Sequence, residues 1–509
     1  MIAASHAMEV ESRNSLSNFP DAILHHILSF LEVNDIARLR ALSRRFQALC
    51  ISAPSLSFSQ PHHSPNCSCL HVFNFMNTLS RQRPRALKIN QLSFSSFCTK
   101  RKHRKLHKQW IHKLFQAFRI DKLSLDYQLP SIFTSLSRFQ SLKVLKLIMS
   151  SCFSVKLPEM KLASLEALHL EGIETEDSVG AWVSQSFPSL KSLFLREVNM
   201  AGVSTKQLDL TIRSSFLEDL TIHDCCSFKP VRIITDNLRA LSYIICYSDS
   251  GRCIHNRLNM DEIVVEVSAP NLQSLMWEGA PTKLCYDRRT FKNLHVATIT
   301  NLRVQNLSLV KQLFEAIRWA RILHTDTDTL ELLDGTSPIS FGNVSYLEIQ
   351  VARYFLEDDV RDVLTTSLER ISNLETLTLA LISDPFEDSD EAPDPFSFKD
   401  VLRKCRKTKW KKIKGLKKVK LRIRNMYHSM AFLMGMLKKS CVDMEEMTLI
   451  YPSCYHKYLK LYLNCLESAS PAISINLCPP NRKRCRSQYD SLDSLKKPSR
   501  LCRQDEDNE

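Results

Sequence analysis

Near the start of the chain the apolar positions recur at helical spacing. In the stretch FPDAILHHILSFL, Phe19 to Leu31, residues Ile23, Leu24, Ile27, Leu28, Phe30 and Leu31 spread over roughly 160° of a helix at 100° per residue. Pro20 suits the first helical turn, where its missing N–H is no loss, and Asp21 favours the positive helix start. Asn34 or Asp35 is placed to cap a second helix, Ile36 to Leu42, and SRRFQALC, Ser43 to Cys50, gives a third. Three short helices make a very small core. The plain reading of the first helix is the buried member of a small domain. The sharper one is that part of its wide apolar arc waits for another protein.

Beyond this segment the period changes. A unit of the form F-x-S-L-x-x-L-x-L recurs as FQSLKVLKL (Phe139 to Leu147), LASLEALHL (Leu162 to Leu170) and FPSLKSLFL (Phe187 to Leu195). Degenerate copies follow at 215–222, 236–243, 269–277, 291–299, 341–349, 371–379, 413–421 and 443–450. The anchors Leu142, Leu165, Leu190, Leu217 and Leu238 lie 23, 25, 27 and 21 residues apart, within the 20–29 of leucine-rich repeats. AIRWARILH (Ala316 to His324) divides the gap from Leu294 to Val344 and reads as a hidden copy; fainter ones precede at Arg85 to Asn90 and Phe118 to Asp126. In L-x-x-L-x-L the last two leucines alternate and point to one side of a short strand. Stacking such strands gives a parallel sheet with leucines inside and the intervening residues outward. Segments 176–187 and 307–320 read as helices on the opposite, convex side.

The stretch LSNFPDAILHHILSFLEVNDIARLRALSRRFQAL, Leu16 to Leu49, resembles the F-box of plant F-box proteins in Pro20-Asp21, Ile23-Leu24, ILSFL, Asp35 and LSRRF. Phe19, where Leu is more usual, and Phe46, where Trp is common, depart from the pattern but keep a large apolar group. Followed by the repeats, it resembles the plant F-box/leucine-rich-repeat family. The resemblance implies an α/β chain with four parts. They are a three-helix F-box at 14–55, a joining segment with a helix at 56–84, an irregular leucine-rich-repeat solenoid at 85–455, and beyond the resemblance a basic tail at 478–509 whose polar, apolar-poor composition reads as disordered. Residues 416–450 look like the strand–helix–strand ending of many relatives. The resemblance also implies docking onto the Skp-type adaptor of a cullin–RING ubiquitin ligase, with Phe19, Pro20, Leu24, Ile27, Leu28, Leu31, Leu42 and Phe46 facing the adaptor. The repeats would hold an unknown target protein, in the nucleus, the cytoplasm or both.

Composition narrows the chemistry. The chain has 509 residues, 44% hydrophobic and 24% charged, too long for one compact domain. Nothing approaches 18 uninterrupted apolar residues, so no membrane span is expected. Glu9, Glu11 and Arg13, without an apolar h-region, argue against a secretory signal, and the 17 cysteines then read as reduced thiols. Only 9 glycines occur, against an average usage of about 7%, so glycine-rich phosphate cradles are absent and no nucleotide cofactor is expected. No nucleophile elbow, H-E-x-x-H or paired-carboxylate motif is present, and no catalytic activity is expected. HHSPNCSCLH, His62 to His71, invites zinc, but C-x-C is tighter than structural-zinc spacing and no second pair follows, so no metal is expected either.

The net charge of +15 is concentrated in three patches, at 100–108, 401–424 and 481–503, which together carry +25 and leave the remainder at −10. In LKKVKLRIR, Leu416 to Arg424, Lys418, Lys420, Arg422 and Arg424 alternate with Val419, Leu421 and Ile423 and face outward as one electropositive strip. It suits an acidic peptide, a phosphate group or a nucleic acid, on which Trp410 would stack. The favoured reading is a solvated face neutralised by the acidic loop 384–396. In the tail, Arg482, Lys483, Arg484 and Arg486, then Lys496 and Lys497, have the spacing of a bipartite nuclear signal or of a solubilising tail. The function this implies is substrate recognition for an SCF-type ligase. The alternative is a nucleic-acid-associated or non-ligase scaffold using the strip and tail, with nucleic acid the less expected partner.

Overall fold

The computed structural model describes residues 18–59, 69–84, 87–95, 118–126, 136–149, 154–200, 209–225, 227–245, 263–302, 306–334, 339–351, 370–381, 412–423, 439–451 and 474–478, with isolated single residues besides. Contacts divide the chain into two units, residues 1–294 and 295–509.

The first unit opens with α1 (Asp21–Leu28), α2 (Val33–Leu39), α3 (Arg44–Ser52) and, after β1, α4 (Cys69–Gln82). The second helix begins three residues earlier than expected. Its N-cap is Glu32, so Asn34 and Asp35 sit in the first turn. Asp35 there opposes the N-terminal partial charge favourably without capping. The third helix has the cap its sequence promises: the Phe46 N–H donates to Ser43 Oγ at 3.1 Å. Leu24, Leu28, Ile36, Phe46, Leu49 and Cys50 close the small core. Arg45 Nη2 pins α1 to α3 by donating to Asp21 Oδ1 and to the Phe19 carbonyl, both at 2.6 Å.

The strands of this unit are β1 (Ser55–Ser59), β2 (Ile89–Ser95), β3 (Ile120–Asp126), β4 (Val144–Ile148), β5 (Ala167–Glu171), β6 (Glu174–Thr175), β7 (Ser192–Arg196), β8 (Asn199–Met200), β9 (Leu210–Arg213), β10 (Asp219–His223), β11 (Val231–Ile234), β12 (Ala240–Ile245), β13 (Val264–Ser268), β14 (Ser274–Gly279) and β15 (Lys283–Tyr286). A parallel ladder takes the repeat strands in the order β1-β2-β3-β4-β5-β7-β10-β12-β14. Every copy read from the sequence in this unit, faint ones included, forms a ladder strand. The ladder also starts earlier than the repeat boundary at residue 85. Strand β1, in the segment assigned to the linker, pairs in register with β2, because Leu56 and Phe58 alternate inward and are buried. The leucines stack in register, Leu145 on Leu168 on Leu193 and Leu147 on Leu170 on Leu195. All six are buried.

The reverse side departs from expectation. Helix α5 (Val179–Ser186) forms where one was predicted, but β9, β11, β13 and β15 make a second four-stranded parallel sheet in the order β15-β13-β11-β9. The reason lies in composition: the β-branched runs VRII and VVEVS favour extended strands over helix. Gly180 lets α5 lie on β9: a Cβ there would stand 2.2 Å from the Thr211 carbonyl oxygen.

Residues at the exits of the ladder strands have positive φ, 66° at Gly172, 50° at Glu197 and 53° at Asp224, each just past a strand, and 94° at Gly279, the last residue of β14. At Gly279 a Cβ would meet the Ile245 carbonyl oxygen at 1.8 Å. Gly279→Ala therefore strains the backbone and forces two strand ends apart. The expected result is a loss of about 2–4 kcal/mol in chemical denaturation of the first unit's transition; an unchanged midpoint would show that the strand ends separate freely.

The second unit has β16 (Val296–Thr300), α6 (Leu307–Ile317), β17 (Ile322–Asp326), α7 (Thr327–Asp334), β18 (Tyr346–Val351), β19 (Thr376–Leu381), β20 (Lys418–Ile423), β21 (Glu446–Ile450) and β22 (Ser474–Cys478). Its parallel ladder follows chain order from β16 to β22. The hidden copy before His324 is β17, and α6 fills the segment predicted as a helix. Strand β22 was unpredicted. It lies beyond the repeat limit at 455 and pairs in register with β21. Leu323, Leu347, Leu377, Val419 and Met447 form one buried row of this core.

Candidate functional site

Two surfaces carry the residues singled out by the sequence. On the F-box, the wide apolar arc is split between an inside and an outside. Leu24 and Leu28 are 2% and 1% exposed and Phe46 is 7% exposed, so these three belong to the domain's own core, and the expectation that they face a partner is corrected. Each packs among the three short helices, whose core is too small to spare them. Leu31 is half-buried and Pro20, the N-cap of α1, is exposed. The outward ridge is made by Phe19, Ile23, Ile27 and Phe30, at helical spacing along α1 and its flanks, with Phe30 75% exposed, and Leu42, after α2, is 66% exposed as well. Of these, Ile23 and Phe30 were not assigned a partner-facing role. They lay in the apolar arc, and only the seating of α1 on α3 shows which side of it faces out. Large apolar groups this exposed and this close together on a small domain mark an interaction surface.

The F-box is joined to the ladder through one buried cation. Arg83, just past α4, is 4% exposed. Its Nη1 donates to the carbonyls of Ile51 and Ala53, both at 2.8 Å, its Nη2 to Lys88 O at 2.7 Å and its Nε to Leu87 O at 3.3 Å. The Phe118 ring lies 5.8 Å from the guanidinium carbon. Burial pulls its pKa down to about 10, so it remains charged at neutral pH. No sequence signal marks it. In SRQRPR it looks like any solvated arginine.

The outward rows of the ladders carry the second surface. In the first unit, His169 stacks on Phe194 with centroids 4.1 Å apart, and its Nε2 lies 3.1 Å from Glu171 Oε2. Arg196 approaches the same carboxylate at 3.5 Å. The His169 hydrogen bond, then the charge of Arg196, hold the Glu171 carboxyl below its usual pKa against the opposing effect of burial. The second unit repeats the theme around Glu348, whose side chain is 13% exposed. Arg422 Nη1 donates to Glu348 Oε1 at 2.8 Å, the Tyr346 hydroxyl donates to Oε2 at 3.0 Å, and His324 Nδ1 lies 3.5 Å away. Burial acts to raise the Glu348 pKa, but His324, Arg422 and Tyr346 together outweigh it and hold it low. The Tyr346 hydroxyl, 2.9 Å from Thr378 Oγ1, is raised, chiefly by burial.

The basic strip is present on β20 and is largely neutralised within the sheet. Lys418 pairs with Glu446 at 3.6 Å and Arg422 with Glu348, while Lys420 has no ion pair or hydrogen bond among the described residues. Arg424, Trp410, the acidic loop 384–396 and the tail from Arg482 to Lys497 lie outside the described residues. Of the His/Cys cluster at 62–71, Cys69 begins α4 and residues 62–68 lie outside as well.

Three short helices bearing an apolar ridge, followed by parallel ladders of leucine-bearing strands, define an F-box joined to leucine-rich repeats. The F-box domain model matches residues 16–58, and the model described as FBD-associated F-box protein At5g56370, LRR repeats, matches residues 134–317. The chain is similar to F-box/leucine-rich-repeat proteins of plants. It is 26% identical over 354 residues to F-box/LRR-repeat protein At2g42720 of Arabidopsis thaliana, covering 66% of this chain and 72% of the relative. It is 26% identical over 219 residues to F-box/LRR-repeat protein 25 of the same plant, covering 43% of this chain and 70% of that one. Putative F-box/LRR-repeat protein At3g58880, also of Arabidopsis thaliana, matches at 25% over 387 residues, covering 72% of this chain and 76% of the relative.

Proposed function

We propose that this protein is the substrate-recognition subunit of an SCF-type cullin–RING ubiquitin ligase. The F-box ridge of Phe19, Ile23, Ile27 and Phe30, together with the exposed Leu42, docks on a Skp-type adaptor, and the outward rows of the ladders hold a target protein. The observation that carries this reading is that ridge with Leu42, five large apolar groups turned away from a core that is already complete. The receptor itself does no chemistry. It raises the effective concentration of the target beside a ubiquitin-loaded enzyme held elsewhere in the complex. The pairing of Lys418 and Arg422 within the sheet leaves little free charge on the described part of the strip, which disfavours the nucleic-acid scaffold.

Affinity purification of the full chain from plant cells tests the reading. Adaptor and cullin are expected to co-purify and to remain bound in added salt, since an apolar contact barely responds to ionic strength while phosphate-driven binding weakens steeply. Recovery of no adaptor would refute it.

A further inference from the structure

We propose that the outward face of β20 is an anion-recognition point for the target, specific for an acidic peptide segment, with Lys420 and Arg422 as the recognising cations. This rests on the receptor reading above and adds the chemistry of what is received. Lys420 and Arg422 are two residues apart on one strand and face the same side, their Cα atoms about 7 Å apart. That spacing matches successive anionic groups along an extended peptide. Among the described residues, Arg422 is held in place by one donor, Nη1, on the Glu348 carboxylate. A guanidinium has five N–H donors, so four of them meet no partner among the described residues while its position is fixed beforehand. Glu348 is itself fixed by the Tyr346 hydroxyl and His324. Lys420 is half-buried between Thr378 and Thr448, its in-register neighbours on β19 and β21. Thr378 is fully buried, while Thr448 is partly accessible and donates to Glu446. On β20 itself the charges are two matched pairs among the described residues, Lys418 with Glu446 and Arg422 with Glu348, plus the unmatched Lys420. A bound carboxylate supplies the missing charge; a peptide phosphate offers the same anionic oxygen.

The test is fluorescence anisotropy of the full chain with three probes: a labelled Glu-Ser repeat peptide, the same peptide phosphorylated on serine, and a labelled single-stranded oligonucleotide. Wild type is expected to bind at least one peptide, the tighter of the two identifying carboxylate or phosphate as the natural group. Lys420→Glu and Arg422→Gln are each expected to weaken it about tenfold or more. Glu348→Gln tests positioning and is expected to weaken peptide binding about threefold, by freeing the guanidinium, although it removes a negative charge. Lys417→Glu makes the same charge reversal in the turn before the strand, where Lys417 pairs with Glu375, and is expected to leave binding within about a factor of two. Binding of neither peptide, equal losses from Lys417→Glu and Lys420→Glu, or tighter binding of the oligonucleotide overturns the proposal. Adaptor capture, measured on the same preparations, separates the two readings. Adaptor bound without peptide sinks this inference alone, and peptide bound without adaptor sinks the receptor reading.

Discussion

Replacing Arg83 by methionine is expected to lower the stability of the first unit by about 3 kcal/mol or more, the range for stranding several buried acceptors at once. Methionine keeps an unbranched apolar stem and removes every donor. The carbonyls of Ile51, Ala53, Leu87 and Lys88 then lose their common partner. Two of these carbonyls end the F-box and two lie just before β2, so the loss falls on the joint between them. Hydrogen exchange should show protection falling first in α3 and β1, with the middle of the ladder following only at higher denaturant. Arg83→Lys, with three donors and no planar fork, should recover part of the loss. Unchanged exchange at the joint in the methionine variant would show that the guanidinium does not hold it.

The second large effect separates the two sides of α1. Ile27→Glu places a charge on the outward ridge, where the native side chain is 37% exposed, so the thermal midpoint is expected to stay within a degree or two. Adaptor affinity should nonetheless fall about a hundredfold, because a charge would be buried at an apolar contact without a partner. Leu28→Ala, one residue on, acts from the inside. It leaves a cavity in a core with no spare volume and should cost about 2–5 kcal/mol, losing the adaptor only because the F-box opens. Adaptor captured equally by Ile27→Glu and wild type would remove the ridge from the interface.

Much of this architecture was legible in the residues because its signals are periodic. The alternation of Leu168 with Leu170, or Leu193 with Leu195, fixes strand, face and register together, and copies as faint as that at 118–126 kept enough of it to be read. Two kinds of feature were not legible. The reverse side depends on which runs pair behind the ladder, and the pattern in VRII or VVEVS says strand without saying which sheet. The division of the F-box arc depends on α1 seating against α3, so Leu24, Leu28 and Phe46 looked as available as Ile23 and Phe30. Polar clusters were harder still. Glu348 and Arg422 are 74 residues apart in sequence and meet only because the ladder sets β18 two strands from β20.

The entry turns of the ladders bear on how such chains change length. Asn237 donates its side-chain amide to the Ser215 carbonyl, Asn271 to Asp236, Asn293 to Pro270 and Asn373 to Gly342, each reaching back into the preceding copy of the motif. An insertion or deletion just ahead of one of these asparagines would tear a stitch between adjacent copies and orphan a donor. The same change after a strand spares these asparagine bonds, although from β9 to β15 it meets the pairing of the second sheet. Over evolutionary time the copies outside the second sheet should therefore drift in length between strand exit and the next entry turn, while the entry turn itself stays constant.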